Sequence, residues 1–216
     1  MKTIQFLLIL ILACSSIFFP ACHKTGATPN LSKYYPNDVG DSWIYDVVDS
    51  AKSTTNNPSS PIHYTVNVTI VGIKKLADGK DASVWKYDYP SGADTNYVRI
   101  SGDTVKIFYN GYANTTEALN YPGLIFIVPF TVNSRWTGKI YGIDTSRVVG
   151  VSNVSSSTQT FQNAFEINHH YIGPNTELND RYYFKPNVGV VAENLMHYVN
   201  GPITYRTWNL RSFTIH

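Results

Sequence analysis

Six histidines and 15 acidic residues are the groups on which acid–base or metal chemistry in this 216-residue chain would have to rest. His169 and His170 are adjacent. On a strand, neighbouring side chains point to opposite faces, so this pair cannot chelate one metal together. His169 shares parity with Phe165, Ile167 and Tyr171 and is expected on the core face with a hydrogen-bond partner. His170 shares parity with Glu166 and Asn168. A Glu166/His170 pair could hold a cation, but it lacks the third ligand a metal site needs, so no metal is assigned. The carboxylates Asp144, Glu166, Glu177, Asp180 and Glu193 are spread along the chain. A fold could bring any two of them to the separation of a glycosidase pair, yet nothing in their spacing selects one. The sequence contains no Gly-x-Ser-x-Gly elbow, no Gly-x-Gly-x-x-Gly loop, no phosphate-binding Gly-Lys-Ser/Thr and no His-Glu-x-x-His helix. No catalytic residue and no cofactor is assigned, and a hydrolase resting on an unrecognised carboxylate pair is the third-ranked reading.

The elements that must carry these residues are strands. Hydrophobic residues make up 43% of the chain, enough for a real core, while charged residues are only 15%, below the usual quarter. Sixteen Tyr, 10 Phe and 4 Trp stand mostly in short runs of strong β-formers, which argues for sheet and against disorder. The net charge of +2 comes from scattered charges of both signs and leaves no electrostatic footprint for nucleic acid.

Ile62, Tyr64, Val66, Val68 and Ile70 alternate with polar residues, as do Trp85, Tyr87 and Tyr89, and each run predicts a half-buried strand. Asp78-Gly79 predicts a tight turn between them. Turns at Ser91–Asp94 and Ser101–Asp103 lead into Tyr97–Ile100 and Val105–Phe108. Further strands are expected over Leu124–Val132, Arg147–Val154, Thr160–Ile172, Arg181–Lys185, Val188–Val199 and Thr204–Ile215. Ala113–Asn120 is the one helical prospect, and Asp49–Ser60 reads as a loop. The fold class expected is all-β: an antiparallel meander forming one curved sheet, half-barrel or barrel, with one or two short helices at most.

The two halves of the chain echo each other. Pro36, Val39 and Trp43 are spaced like Pro129, Val132 and Trp136, and Val71-Gly72-Ile73 returns as Val149-Gly150-Val151. Aromatic-rich strands follow each, around Trp85-Tyr87 and Phe161–Phe165. An internal duplication with halves 34–112 and 124–216 is one explanation. Coincidence in a chain rich in Val and Trp is the other.

The N-terminus is a targeting segment and stands outside the fold. Lys2 precedes an apolar run from Phe6 to Ala13, and Ile17-Phe18-Phe19 extends it to Pro20-Ala21-Cys22. An apolar run followed by a small residue and cysteine resembles the lipoprotein class of signal peptide. That resemblance implies removal of residues 1–21 and lipidation of Cys22. Phe19 and Pro20 depart from the Leu and the small residue usual in the class, and Cys14 after Ile11-Leu12-Ala13 is the competing anchor. Both cysteines lie in this segment, so the remaining chain can hold neither a disulfide nor a thiolate site. Residues 22–33 read as a polar tether, and 34–216 as a single β domain.

Tyr34-Tyr35-Pro36-x-x-Val39-Gly40-x-x-Trp43-x-Tyr45 resembles the opening of a broad group of envelope lipoproteins, Tyr-x-Pro-x-x-x-Gly-x-x-Trp-x-Tyr. Tyr182-Tyr183-Phe184-x-x-x-Val188-Gly189-Val190-Val191 is similar to the group's C-terminal pattern, an aromatic strand turning into Gly-Val-Gly-Leu-Val. Asn187 stands where the group usually has glycine. These motifs imply structure rather than activity. Pro36 and Gly40 shape a turn, Trp43 and Tyr45 share one strand face, and Gly189 marks a bulge or a close backbone approach.

The reading is therefore an outer-membrane lipoprotein facing the periplasm, attached to the membrane through its lipid and serving a non-catalytic binding or structural role. His23 rather than Asp follows Cys22, which in lipoprotein sorting favours the outer membrane. An amphiphile, a glycan or an envelope protein is the expected partner, and nucleic acid is not. The glycan alternative requires aromatic residues on the surface.

Overall fold

The computed structural model describes residues 34–51, 60–138, 143–201 and 203–216. The signal segment, Cys14, Cys22, the tether and most of the Asp49–Ser60 loop lie outside these residues.

Alternation of apolar and polar residues sets the strands. They are β1 (Ser42–Ala51), β2 (Ile62–Lys75), β3 (Asp81–Tyr89), β4 (Gly92–Ser101), β5 (Thr104–Tyr109) and β6 (Leu124–Ile127), then β7 (Arg135–Thr137), β8 (Ile143–Ser155), β9 (Thr160–Gly173), β10 (Thr176–Lys185), β11 (Gly189–Val199) and β12 (Thr204–Thr214). They form one antiparallel sheet in the order β6-β5-β4-β3-β2-β1-β12-β11-β10-β9-β8-β7. The fold is thus all-β, two six-stranded meanders joined where β1 pairs with β12. The sheet curls into a near-barrel whose two edges, β6 and β7, are consecutive in the chain.

Side chains and a loop close that seam. The Trp136 indole N–H donates to the Ile125 carbonyl at 2.7 Å. Phe130, between the two edge strands, packs against Phe126, Trp136 and Phe184 with ring centroids 5.0–6.1 Å apart. Backbone groups of the connection are satisfied by Val128 N–H to Asp103 C=O at 2.8 Å and Phe130 N–H to the Tyr34 hydroxyl at 2.9 Å. Barrels avoid exposed edges by such closure.

The core lies inside the barrel. Trp43, Tyr45 and Val47 on β1 are buried, and with Val66, Val68, Ile70, Ile167, Phe184 and Leu210 they belong to one hydrophobic cluster. A second, smaller cluster around Phe108, Tyr97 and Leu119 packs on the outer side of β4 and β5. The placement of Trp43 and Tyr45 on one buried face follows the sequence expectation.

Several boundaries differ from that expectation. Leu124–Val132 is not one strand: pairing stops at Ile127, because Pro129 has no N–H to donate and the chain must turn to reach the opposite edge. The helical prospect at Ala113–Asn120 becomes one 3-10 turn at its end, Ala118–Asn120, and a second 3-10 turn, Asn110–Tyr112, lies just before it. Strands β8 and β10 begin earlier than expected, at Ile143 and Thr176. Their added inward positions, Asp144, Ser146 and Asp180, are polar yet buried, so the apolar alternation used to find strands is broken there.

Candidate functional site

The residues those two strands gained build the polar wall of the barrel interior. His169 on β9 stands opposite Asp180 on β10 and, one strand the other way, opposite Ser146 on β8. Parity carries all of them inward with Ile167 and Tyr182. Asp144 Oδ1 lies 3.0 Å from His169 Nε2. His169 Nδ1 faces Asp180 Oδ2 at 3.6 Å, an ion-pair separation rather than a hydrogen bond. Asp180 Oδ1 is 2.9 Å from Nε2 of His197 on β11, and the Tyr182 hydroxyl donates to Asp180 Oδ2 at 3.4 Å. The result is a linear chain Asp144–His169–Asp180–His197 crossing four adjacent strands. Its first three members are buried, while His197 keeps over a third of its side-chain surface.

Electrostatics follow from that geometry. Burial alone would push the His169 imidazole down, but the flanking Asp144 and Asp180 carboxylates carry it up to about 9. Burial opposes ionisation of Asp180 too, and the two histidines overcome it, holding Asp180 below the usual carboxylate range. His169 is therefore a cation at neutral pH, clamped between two carboxylates. Among the described residues no three His, Cys, Asp or Glu side chains gather as a metal site.

Glu193 on β11 has the opposite character. It stands opposite Tyr182 on β10 and Trp208 on β12, inside the barrel. It is half-buried and lines the interior cavity. Burial first, and the nearby Asp180 second, push its carboxyl up to about 8 against the pull of Arg206. Glu193 also raises the phenols of Tyr35, Tyr45, Tyr87, Tyr89, Tyr109 and Tyr182, with burial as the larger cause at each. A carboxyl that influences tyrosines on β1, β3, β5 and β10, and Tyr35 just before β1, is central to the barrel.

A cavity of about 210 Å³ lies between these groups. Its apolar wall includes Trp43 and Trp85, stacked at 4.8 Å, and Trp208, which meets Tyr45, Tyr87 and Tyr89 edge to face at 5.5–6.5 Å. Arg206 and His197 line it as well, with Arg206 held by Asp49 at 2.5 Å.

The other residues singled out in the sequence fall elsewhere. His170 is on the outer face, 3.4 Å from Glu177, and Glu166 pairs with Arg181 at 3.2 Å, so each has a partner other than the one considered for a cation. Trp43, Trp85 and Trp208 are buried, and Trp136 is packed against the core. The tryptophans thus form no surface platform; three of them line the cavity instead. Gly189 has φ +99°, and a Cβ there would stand 3.4 Å from the Trp43 indole nitrogen, the close approach its motif implied. Trp43 in turn donates to the Val188 carbonyl at 2.6 Å. Asn187 adopts φ +66°, a conformation that glycine or asparagine takes readily.

The chain matches no family profile and no curated protein sequence. Among solved structures, it is similar to a candidate exported protein with a YmcC-like fold from Bacteroides fragilis, at 13% identity and TM-score 0.45. It is also similar to a candidate lipoprotein from Parabacteroides distasonis, at 16% identity and TM-score 0.43. Each likeness covers 84% of this chain and 98% of the other.

Sequence reasoning named Asp144, Asp180 and Glu193 as scattered carboxylates and His169 as a bonded core histidine. The structure brings the first two onto His169 and sets Glu193 against the same cavity. His197 and Arg206 were missed. The available signal was parity: His197 falls in step with Leu195 and Glu193, and Arg206 with Trp208 and Leu210.

Proposed function

We propose that this chain is a lipid-anchored envelope protein whose barrel encloses a small ligand, in a non-catalytic binding role. The observation that carries the binding role is the interior cavity, where aromatic rings and unequal titratable groups converge on a space of about 210 Å³. Ligand sites combine an apolar lining with a few placed polar groups in this way. The inner face is not uniformly apolar, and at about 210 Å³ the space is smaller than the roughly 300–1,000 Å³ of typical ligand pockets. A compact polar ligand suits it better than a long acyl chain. The glycan alternative, which requires aromatics on the surface, loses that basis, because Trp43, Trp85 and Trp208 are buried.

Anchoring through Cys22, membership in the group of envelope lipoproteins, and a place on the periplasmic face of the outer membrane rest on the sequence motifs. Fatty-acid labelling and fractionation of Cys22→Ser and Cys14→Ser variants test the anchor. Loss of label and membrane association in Cys22→Ser alone is expected, and loss in Cys14→Ser alone would move the anchor. Protease treatment of intact cells should leave the domain undigested; digestion would place it on the cell surface. For the ligand, a melting-temperature screen of compact polar molecules, monosaccharides and fatty acids is expected to show stabilisation by the first or second group. A flat response across all three would remove the binding role.

A further inference from the structure

Among the described residues, most of the polar groups inside the barrel are paired with one another, and the one carboxyl left without a partner specifies a ligand. Asp49 and Arg206 cancel at the cavity wall. Behind them Asp144 and Asp180 share the single His169 cation. Glu193 is left over: no hydrogen-bond donor among the described residues reaches its carboxyl, and Arg206 on β12 is already engaged by Asp49. His197 on β11 is likewise turned to Asp180. The other groups around Glu193 are phenols and an indole: Tyr35 before β1, Tyr45 on β1, Tyr87 and Tyr89 on β3, Tyr109 on β5, Tyr182 on β10 and Trp208 on β12. A leftover carboxyl within aromatic walls is the arrangement that recognises an ammonium group, which ring faces attract and a carboxylate neutralises.

We propose that the cavity binds a small organic cation, an alkylammonium or quaternary ammonium group, with Glu193 as its counter-ion and Tyr45, Tyr87 and Trp208 as its aromatic wall. This rests on the reading of the cavity as a ligand site and narrows it to one chemical class. The register supports the placement. Glu193 and Trp208 are direct cross-strand partners on the inner face, and the Trp208 ring is already met by Tyr45 and Tyr87. A neutral ligand would leave Glu193 protonated. A cation would ionise it, and the proton would leave to solvent.

Calorimetric titration of the full chain in neutral detergent, with choline, with its uncharged isostere bearing a tert-butyl group in place of trimethylammonium, and with glucose, tests this. Choline is expected to bind at least about tenfold more tightly than the isostere. Its binding near pH 7 should release close to one proton, counted by repeating the titration in buffers of different ionisation enthalpy, and the release should fade as pH passes about 8. Glu193→Gln should abolish both the preference and the release; the proton count on the native chain is decisive even if that variant folds poorly. Equal binding of choline and isostere, or choline binding without proton release, would overturn the cation assignment. If the isostere or glucose binds while choline does not, the cavity remains a ligand site and only the cation reading falls. If none of the three binds, the cation assignment fails.

Discussion

The two meanders repeat one backbone plan and fill it with different chemistry. In the first, Gly40 N–H donates to Ile70 C=O, and Ile70 N–H to Asp41 C=O, both at 2.9 Å. In the second, Asn133 N–H donates to Val148 C=O at 2.8 Å and Val148 N–H to Ser134 C=O at 3.0 Å. Gly40 and Asn133 both take positive φ, +102° and +71°. Strands β2 and β8 then each carry a bulge, between Ile70 and Gly72 and between Val148 and Gly150. The Val-Gly repeats in the sequence are therefore the same bulge twice. Followed outward from it, the pairing matches Trp85 with Ile167, then Tyr87 with His169, Asp94 with Asp180 and Tyr109 with Glu193. The aromatic run at Phe161–Phe165 is not the counterpart of Trp85-Tyr87. At two of these four matched positions a tyrosine in the first meander stands where the second has a charged or titratable group, Tyr87 against His169 and Tyr109 against Glu193. Backbone plan fixes where a side chain points, and the residue type decides what it does there.

Truncating the first tryptophan of each half tests how far the plan is shared. Trp43 is fully buried, and Trp43→Ala should cost about 3–5 kcal/mol in one cooperative transition. Trp136 is only partly buried at the seam, so Trp136→Ala should cost roughly half of that, again in one transition. Two transitions in either variant, by calorimetry, would mean that the halves melt separately.

Exchanging the chemistry at one matched pair is the next largest effect. His169→Gln leaves Asp144 and Asp180 buried without their cation and should cost about 3 kcal/mol near pH 6. His169 is raised from 6.5 to about 9 on folding, so its contribution is complete below the unfolded value and is lost as pH rises through about 9. The penalty should therefore shrink in alkaline buffer. Tyr87→Phe at the matched position removes one neutral hydroxyl and should cost about 0.5–1.5 kcal/mol, with no such pH dependence. Denaturant unfolding at several pH values separates the two. A pH-independent penalty for His169→Gln would refute the ion-pair account.

Glu193 gives a smaller effect of opposite sign. Its carboxyl is raised from 4.5 to about 8, so folding favours the protonated form and native stability falls as pH rises between those values. Glu193→Gln should flatten that fall and be more stable than the native chain by about 1–3 kcal/mol near pH 8. Loss of stability on this substitution would show that Glu193 is paired. Smallest is the turn: Gly40→Ala forces a side chain into positive φ, 3.3 Å from the His216 ring, and should cost about 1 kcal/mol. Asn133→Gly should change stability by less than about 0.5 kcal/mol, because asparagine already tolerates this backbone. Thermal melts that rank these two the other way would break the equivalence of the turns.

The sequence by itself determined what period and local turn chemistry determine. Alternation of Ile62 to Ile70 and of Trp85 to Tyr89 set β2 and β3, Trp43 and Tyr45 announced a buried face, and His169 was placed inward by parity with Ile167. These are statements about neighbours two residues apart, and side-chain direction on a strand repeats at that interval. Only the tertiary structure decided that β1 meets β12, that the short edges β6 and β7 face each other across Trp136, and that Asp144, His169, Asp180 and His197 form one chain. Those contacts depend on register between strands, which no local pattern carries across distances such as the 25 residues from Asp144 to His169. The charged wall was hidden for a further reason. A strand is recognised by apolar inner positions, and Asp144 and Asp180 occupy inner positions with carboxylates that only their histidine partners on neighbouring strands make tolerable.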